Sequence, residues 1–456
     1  MPPESLAAAI ARAGSPVELL RNAATPAHTF PITPEFTNWR SEQRAWARTC
    51  ALLDQSHHMT DLFLEGPDAQ RLLAGLAVNT FANFGVNRAK QFVAVNADGH
   101  LIGDAILFHL EDELYDLVGH PMVIDWVQFH LETGDHDARA ERDDNSAVRS
   151  GPPRLYRYEL QGPTAAAVIE RATGAPLPAT KFFHMAEFTI AGRPVRGLRH
   201  GMAGQPGFEL FGPWADGDAV LSALLEAGKE HGLVRAGAKA YSTANLESGW
   251  VPAPLPAIFA DDPHLAAYRE WLPATAVGSL GGSVDATDIA DHYLTPYDIG
   301  YDRTVRFDHD FVGRAALERI AGAPPRRKVT LVWNPDDVAA AIGSLFAKGP
   351  GAKHLELPKA RYALHQQDKV LIGGGDGAEQ VGVSLDCGYI ANERAMVSLA
   401  TVDVAHSRPG TEVVVLWGEE PNSAKPQVEE HRLWKIRATV APAPYVQFAR
   451  DQYRGK

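Results

Sequence analysis

The feature that most constrains this chain is a repeated strand–Gly-Pro–helix segment. Asp61 to Glu65 partly alternates polar and apolar residues, as a half-buried strand does, and Gly66-Pro67 then opens a helical pattern. The same order returns at Tyr156–Leu160, where Gly162-Pro163 precedes a second predicted helix, 96 residues after the first copy. The repeat favours an α+β core built from two similar halves.

Composition shifts divide the chain into three predicted domains. Residues 135–153 are polar and charged, which indicates a linker or exposed loop, and Pro324-Pro325 marks a second boundary. Beyond it, β-branched runs separated by turn residues predict a small antiparallel barrel or sandwich. We therefore expect domains at 1–150, 151–323 and 324–456. The predicted barrel strands are Val329–Trp333, Val397–Val404, Glu412–Trp417 and Trp434–Val440.

The charge balance limits the partners of this protein. The sequence has 43 Lys and Arg against 56 Asp and Glu, a net charge of −13, which argues against a nucleic-acid or anionic membrane partner. No run approaches the roughly 18 apolar residues of a membrane span, and no secretion signal is apparent. Two distant cysteines, Cys50 and Cys387, fit a reducing compartment. We expect a cytoplasmic protein.

Several common catalytic motifs are missing from the sequence. It has 18 histidines but no HExxH pair, so we predict no catalytic metal. The glycine runs at 278–282 and 373–377 lack the lysine of a phosphate loop and the context of a dinucleotide fold. No GxSxG elbow is present, which excludes an α/β-hydrolase.

Two segments each allow a binding role and a purely structural role. His200–Glu209 carries three glycines, which let a backbone approach a flat ligand closely or simply form a hairpin turn. Glu247 and Trp250 lie three residues apart. In a binding role, the Glu247 carboxylate accepts N–H groups of an aromatic ligand and the Trp250 ring stacks on it. In a structural role, Glu247 caps a helix and Trp250 is a core residue. The residue types alone leave both alternatives open.

A series of short segments, in the same order, resembles the motifs of the glycine-cleavage T-protein family. This resemblance implies a three-domain, clover-leaf α+β fold around a central folate channel, with a C-terminal β-barrel or sandwich. The matching segments are Asp54-Gln55-Ser56-His57, Gly99–Asp104, Leu160–Pro163, Gly204–Glu209, Leu246–Gly249, Thr295–Gly300, Val305–Asp308 and Asp310–Arg314.

Within that family the chain resembles the aromatic O-demethylases. Amine-demethylating members typically have an arginine where Thr243-Ala244-Asn245 stands, and a glutamate at the place of Gln205. The resemblance implies transfer of the methyl group of an aryl methyl ether to tetrahydrofolate, giving 5-methyltetrahydrofolate and a free phenol. The segments that resemble this branch are His57–Met59, Lys181–Glu187, His200–Gly204, Leu246–Ile258 and Tyr268–Pro273.

The resemblance implies an active-site tyrosine at Tyr241. The leaving phenolate has a conjugate-acid pKa of roughly 10, similar to that of a free tyrosine, so Tyr241 is our candidate proton donor. Gln55 and His58 match the polar pair of the branch and are expected to orient the methoxy oxygen or a neighbouring hydroxyl. The carboxylates are expected to accept pterin N–H bonds and the rings to stack. The expected folate residues are Asp104, Val118, Gln161, Phe183, Glu209, Glu247 and Trp250.

The expected substrate pocket differs from that of vanillate enzymes. Those carry tyrosines near the first extended segment, where this chain has His28 and Phe30, and an arginine where this chain has His120. The pocket therefore loses a bidentate carboxylate partner and gains space for a second methoxy group. We predict a methoxylated aromatic acid, syringate rather than vanillate, with 3-O-methylgallate as a further possibility. The alternatives are an amine-demethylating aminomethyltransferase and a non-catalytic folate-binding regulator.

Overall fold

This computed structural model describes residues 3–23, 30–373, 377–419 and 425–453, which form both helices and strands. The α-helices are α1 (Leu6–Ala13), α2 (Pro16–Asn22), α3 (Trp39–Arg48), α4 (Ala69–Leu76), α5 (Pro121–Thr133), α6 (Ala165–Thr173), α7 (Gly217–Gly228), α8 (Ala238–Tyr241), α9 (Ala244–Ser248), α10 (Pro263–Trp271), α11 (Arg314–Ile320), α12 (Pro335–Gly343) and α13 (Gln447–Asp451). The strands are β1 (Cys50–Asp54), β2 (Thr60–Glu65), β3 (Arg88–Val95), β4 (Leu101–Glu111), β5 (Leu114–Gly119), β6 (Arg139–Asp143), β7 (Leu155–Gln161), β8 (Met185–Ile190), β9 (Arg193–Arg199), β10 (Gly207–Pro213), β11 (Leu233–Ala236), β12 (Leu280–Gly281), β13 (Arg326–Trp333), β14 (His365–Gln366), β15 (Asp368–Ile372), β16 (Glu379–Ile390), β17 (Ala395–Asp403), β18 (Glu412–Trp417) and β19 (Trp434–Ala441).

The first sheet is antiparallel, with strand order β3-β4-β5-β2-β6. Helices α4 and α5 pack against it, and their apolar residues share a core with strand residues such as Leu64 and Leu107. Strand β6 covers residues 139–143. The prediction of a linker or exposed loop over 135–153 is therefore wrong for these five residues. The sequence pattern does not predict this strand because it is short and charged, as protected strands at a sheet edge often are.

The second sheet has the order β11-β1-β7-β10-β9-β8 and packs against α6 and α7. Strand β1 pairs antiparallel with β7 and parallel with β11, so a segment near residue 50 completes the sheet of the second half. The boundaries 1–150, 151–323 and 324–456 remain a prediction. Because β1 belongs to the first part but pairs within the second sheet, the first two parts are interlocked.

The repeated Gly-Pro segments adopt matching conformations. Gly66 and Gly162 follow β2 and β7 with φ values of +136° and +129°, a region that side chains rarely adopt. A Cβ at Gly66 would lie 2.6 Å from the Asp137 carbonyl oxygen, and one at Gly162 would collide with the Thr49 carbonyl oxygen. Each glycine therefore lets the chain turn tightly from a strand into its helix.

The C-terminal part is a closed antiparallel barrel, in the order β13-β17-β16-β15-β18-β19. The predicted barrel is thus confirmed, and its core includes Trp333 and Trp417. Strands β15 and β16 were not predicted. In β16, Gly382, Gly388 and a register shift near Asp386 interrupt the apolar pattern.

No helix among the described residues is long and apolar enough to span a bilayer.

Candidate active site

Three of the predicted residues form one hydrogen-bonded group at the end of β1. The Tyr241 hydroxyl lies 2.9 Å from His58 Nε2, and the Gln55 amide donates to the same hydroxyl at 3.4 Å. Tyr241 is the last residue of α8, whereas Gln55 and His58 belong to the connection from β1 to β2. This connection is fixed because the Ser56 hydroxyl accepts a hydrogen bond from the Arg157 backbone N–H at 2.9 Å.

Glu159 joins this group and was missed by the sequence reasoning. Its carboxylate accepts a hydrogen bond from Gln55 at 2.5 Å and another from the Met202 backbone N–H at 2.5 Å. Burial raises the pKa of Glu159 to about 8. A signal was present, because Arg157, Glu159 and Gln161 alternate along β7 and therefore share one face.

Arg157 is the charged centre of the site. Its guanidinium donates to Glu209 at 3.0 Å, to Asp61 at 2.5 Å and to Asp116 at 2.6 Å, and all four side chains are buried. Burial alone would lower the pKa of Arg157, but the carboxylates outweigh it and raise that pKa. Burial, together with the charge of Asp61, raises the pKa of Asp116 well above its ordinary value.

The same negative surroundings act on Tyr241. Burial raises the pKa of Tyr241 well above that of a free tyrosine, and the charges of Glu159 and Glu209 raise it further. The phenol is therefore protonated at neutral pH. It accepts a hydrogen bond from Gln55, which leaves its own proton for donation.

The glycine-rich loop, residues 200–206, connects β9 to β10. Its backbone also contacts β7. The Ala203 N–H donates to Gln161 Oε1 at 2.8 Å, and a Cβ at Gly207 would collide with the Leu160 carbonyl oxygen. Gln161 Nε2 is buried and has no hydrogen-bond partner among the described residues. A buried amide of this kind is expected to find a partner, so it marks a place where a ligand acceptor would fit.

Asp104 gathers a second polar group around Trp250. Its Oδ2 accepts hydrogen bonds from the Trp250 indole at 2.8 Å, from the Tyr301 hydroxyl at 2.6 Å and from the Gln91 amide. Burial raises the pKa of Asp104, and these donors partly offset the shift. Trp250 and Asp104, both predicted folate residues, are thus hydrogen-bonded to each other. Gln91 and Tyr301 were not predicted.

The remaining expected folate residues lie in packed surroundings. Glu247 is fully buried and accepts a hydrogen bond from Asn392 at 3.1 Å, and burial raises its pKa to about 8. Phe183 has a positive φ of 59° and its ring centroid lies 5.2 Å from that of His200. Val118 is buried in the apolar cluster against which Phe183 packs. Their role toward folate remains a prediction.

Two of the three expected substrate residues can be located, and His28 lies outside the described residues. The Phe30 ring centroid is 6.2 Å from that of His58, in an edge-to-face arrangement. His120 caps α5 by accepting the Met122 N–H at 3.4 Å. The His120 side chain is exposed to solvent, yet the surrounding protein lowers its pKa to about 4.

No group of three or more His, Cys, Asp or Glu side chains in the described part of the chain is arranged to hold a metal ion.

A family comparison agrees with this architecture. The family model described as GCVT N-terminal domain matches residues 21–253. The chain belongs to the glycine-cleavage T-protein family. The resemblance inferred from the short motifs is therefore confirmed.

Individual T-protein relatives are similar over most of this chain. A syringate O-demethylase of Sphingobium sp. (strain NBRC 103272 / SYK-6) is 46% identical over 99% of this chain and 98% of its own length. A sesamin methylene transferase of Sinomonas sp. (strain No.22) is 32% identical over 83% of this chain and 82% of its own.

A solved structure confirms the T-protein-like fold. The glycine cleavage system aminomethyltransferase T of Bartonella henselae superposes with a TM-score of 0.61 at 20% identity. The match covers 94% of this chain and 95% of that one.

The raised pKa of Glu247 predicts a pH-dependent stability. The folded state keeps this proton up to a pH of about 8, whereas the unfolded chain releases it near the ordinary glutamate pKa of 4.5. The free energy of unfolding therefore falls as pH rises through this window, by at most about 1.4 kcal/mol per pH unit for one proton. Glu247→Gln keeps the contact with Asn392 and should flatten the curve.

Urea unfolding of the wild-type protein and of Glu247→Gln between pH 5 and 9 measures this difference. Other buried acids such as Glu159 contribute equally to both curves and cancel. Parallel curves would contradict the assignment of a raised pKa to Glu247.

Proposed function

We propose that this protein is a tetrahydrofolate-dependent O-demethylase that acts on a methoxylated aromatic acid, with syringate as the preferred substrate. The observation that carries the proposal is the group formed by Tyr241, His58 and Gln55. This group supplies a protonated phenol and two orienting side chains in a chain of the T-protein family. The 46% identity to a syringate O-demethylase over nearly the whole chain supports the same reaction.

The methyl acceptor is tetrahydrofolate, and the donors and acceptors present suit a pterin. Gln161 Nε2, buried without a partner among the described residues, is a donor available to a pterin acceptor. Asp104 and Glu209 are acceptors for pterin N–H groups, and Trp250 offers a ring face. When bound, tetrahydrofolate supplies a nucleophilic nitrogen, N5, that accepts the methyl group.

The residues of this chain control the departing phenolate. Tyr241 donates its proton to the ether oxygen. Gln55 donates a hydrogen bond to the Tyr241 hydroxyl, and Glu159 accepts a hydrogen bond from Gln55. Burial raises the pKa of Tyr241, and a phenolate in the same pocket experiences the same burial, so donor and leaving group remain matched. His58 is the other candidate donor because its ring contacts the tyrosine hydroxyl directly.

We also propose that the enzyme works in the cytoplasm, without a nucleic-acid partner, in the breakdown of lignin-derived aromatic compounds. The net charge of −13 and the two buried free cysteines support this location and the lack of a polyanionic partner.

Substrate choice tests the proposed function. With tetrahydrofolate present, we expect syringate to yield 5-methyltetrahydrofolate faster than vanillate does, and we expect activity to persist with a chelator. His120→Arg supplies a bidentate carboxylate partner and fills space, so it should shift the ratio of kcat/KM values toward vanillate by about tenfold. Product without tetrahydrofolate, or turnover of a glycine-derived amine alone, would refute the proposal, and a wild-type preference for vanillate would refute the choice of syringate.

The proton donor can be tested with two substitutions measured at saturating tetrahydrofolate. Tyr241→Phe keeps the ring and removes only the donor, so syringate affinity should change little while kcat falls about 10²–10⁴-fold. His58→Ala provides the comparison. If Tyr241→Phe retains a rate within a few-fold of wild type while His58→Ala does not, the donor is His58.

A further inference from the structure

Tyr241 and Trp250 belong to a stretch of two very short helices. Helix α8 has four residues and ends at Tyr241, and α9 has five residues and ends two residues before Trp250. Isolated helices shorter than about 12 residues are marginal in water, and the last carbonyl groups of any helix lack partners within it. Contacts from other parts of the chain therefore have to hold both residues in place.

The C-terminal part of the chain supplies such a contact through the Lys359 ammonium. Its three N–H donors have three acceptors, which are the Ser242 carbonyl oxygen at 2.8 Å, Asn245 Oδ1 at 3.0 Å and Asp386 Oδ2 at 2.5 Å. Lys359 is only 7% exposed, and Ser242 directly follows Tyr241. A buried lysine is thus bonded to the backbone beside the candidate proton donor.

Asn245 extends this network to Trp250. Its amide donates to the Trp250 carbonyl oxygen at 3.1 Å and to Asp386 Oδ2 at 2.7 Å. Asp386 therefore accepts hydrogen bonds from both Lys359 and Asn245, and both polar atoms of the Asn245 side chain have partners. A buried polar network whose members are all satisfied favours a single arrangement of its parts. One network thus connects the end of α8 to the segment of Trp250.

The barrel strand β16 is shaped to reach this network. Its pairing register with β17 shifts between Ser384 and Asp386, and a bulge of this kind redirects a side chain. Two residues further on, a Cβ at Gly388 would lie 2.7 Å from Leu246 Cδ1 and 2.8 Å from the Pro358 carbonyl oxygen. The bulge therefore brings Asp386 to α9, and the glycine lets the strand approach that helix closely.

We propose that Lys359 and Asp386 are positioning residues for proton donation by Tyr241, an inference that rests on the proposed function. They act through the backbone that follows Tyr241 and through Asn245. A displacement of about 1 Å at a reacting group can lower a rate about 10²-fold. Loss of the network should therefore lower the rate of methyl transfer. The affinity for the substrate should change little, because the network acts on the donor and not on the substrate.

Single-turnover rates of methyl transfer from syringate to tetrahydrofolate, with both ligands saturating, test this role. Lys359→Met removes the ammonium and keeps the chain length. We expect its rate to fall about 10- to 100-fold while the Kd for syringate stays within about threefold of wild type. Asp386→Asn keeps an acceptor oxygen and loses the charge, so its rate should lie between those of Lys359→Met and wild type.

A second background separates positioning of Tyr241 from general damage to the fold. Adding Lys359→Met to Tyr241→Phe should lower the rate by less than about threefold more, because the donor that the network positions is already absent. A merely structural role would instead give the same fall in both backgrounds. If Lys359→Met does not fold, Asp386→Asn in the same two backgrounds provides this comparison.

The matched control is Lys369→Met, which removes another lysine of the barrel that pairs with an aspartate, Asp285, at 2.7 Å. It should leave both the rate and the Kd unchanged. Equal falls in the wild-type and Tyr241→Phe backgrounds, or no fall in the wild-type background, would overturn the proposal. So would a Tyr241→Phe rate close to that of wild type, because Tyr241 would then not be the donor. Wild-type protein that transfers no methyl group would refute the proposed function, and this role with it.

Discussion

The guanidinium of Arg157 contacts three buried carboxylates, two from the first sheet and one from the second. Phe108 and Phe211, one from each sheet, flank it with ring centroids 5.2 and 5.0 Å away. Removing the arginine would leave three acids buried without a cation, so the two halves of the core depend on this one side chain. The contact fixes how the two sheets meet.

The chemistry of the site follows from its position next to this centre. Glu159 and Gln161 lie on the same face of β7 as Arg157, and Glu159 pairs across the sheet with Glu209. Burial, together with the charges of Glu159 and Glu209, raises the pKa of Tyr241 and keeps its phenol protonated.

Local patterns predicted much of the fold and part of the site. The two Gly-Pro turns are visible in the sequence because each needs a residue without a side chain, and the barrel strands β13, β17, β18 and β19 are visible as β-branched runs. Gln55, His58 and Tyr241 were predicted from the family motifs, and they form one hydrogen-bonded group in the structure. The ion cluster was not predicted, because Asp61 and Arg157 lie 96 residues apart and only the sheet packing brings them together.

A crystal structure of the protein with bound syringate would show whether the Tyr241 group contacts the substrate. If Tyr241 is the proton donor, we expect a methoxy oxygen of the substrate within about 3 Å of its hydroxyl. The aromatic ring of the substrate would lie between the two sheets. An aromatic acid bound away from Tyr241, with Tyr241, His58 and Gln55 contacting only one another, would contradict this role of Tyr241.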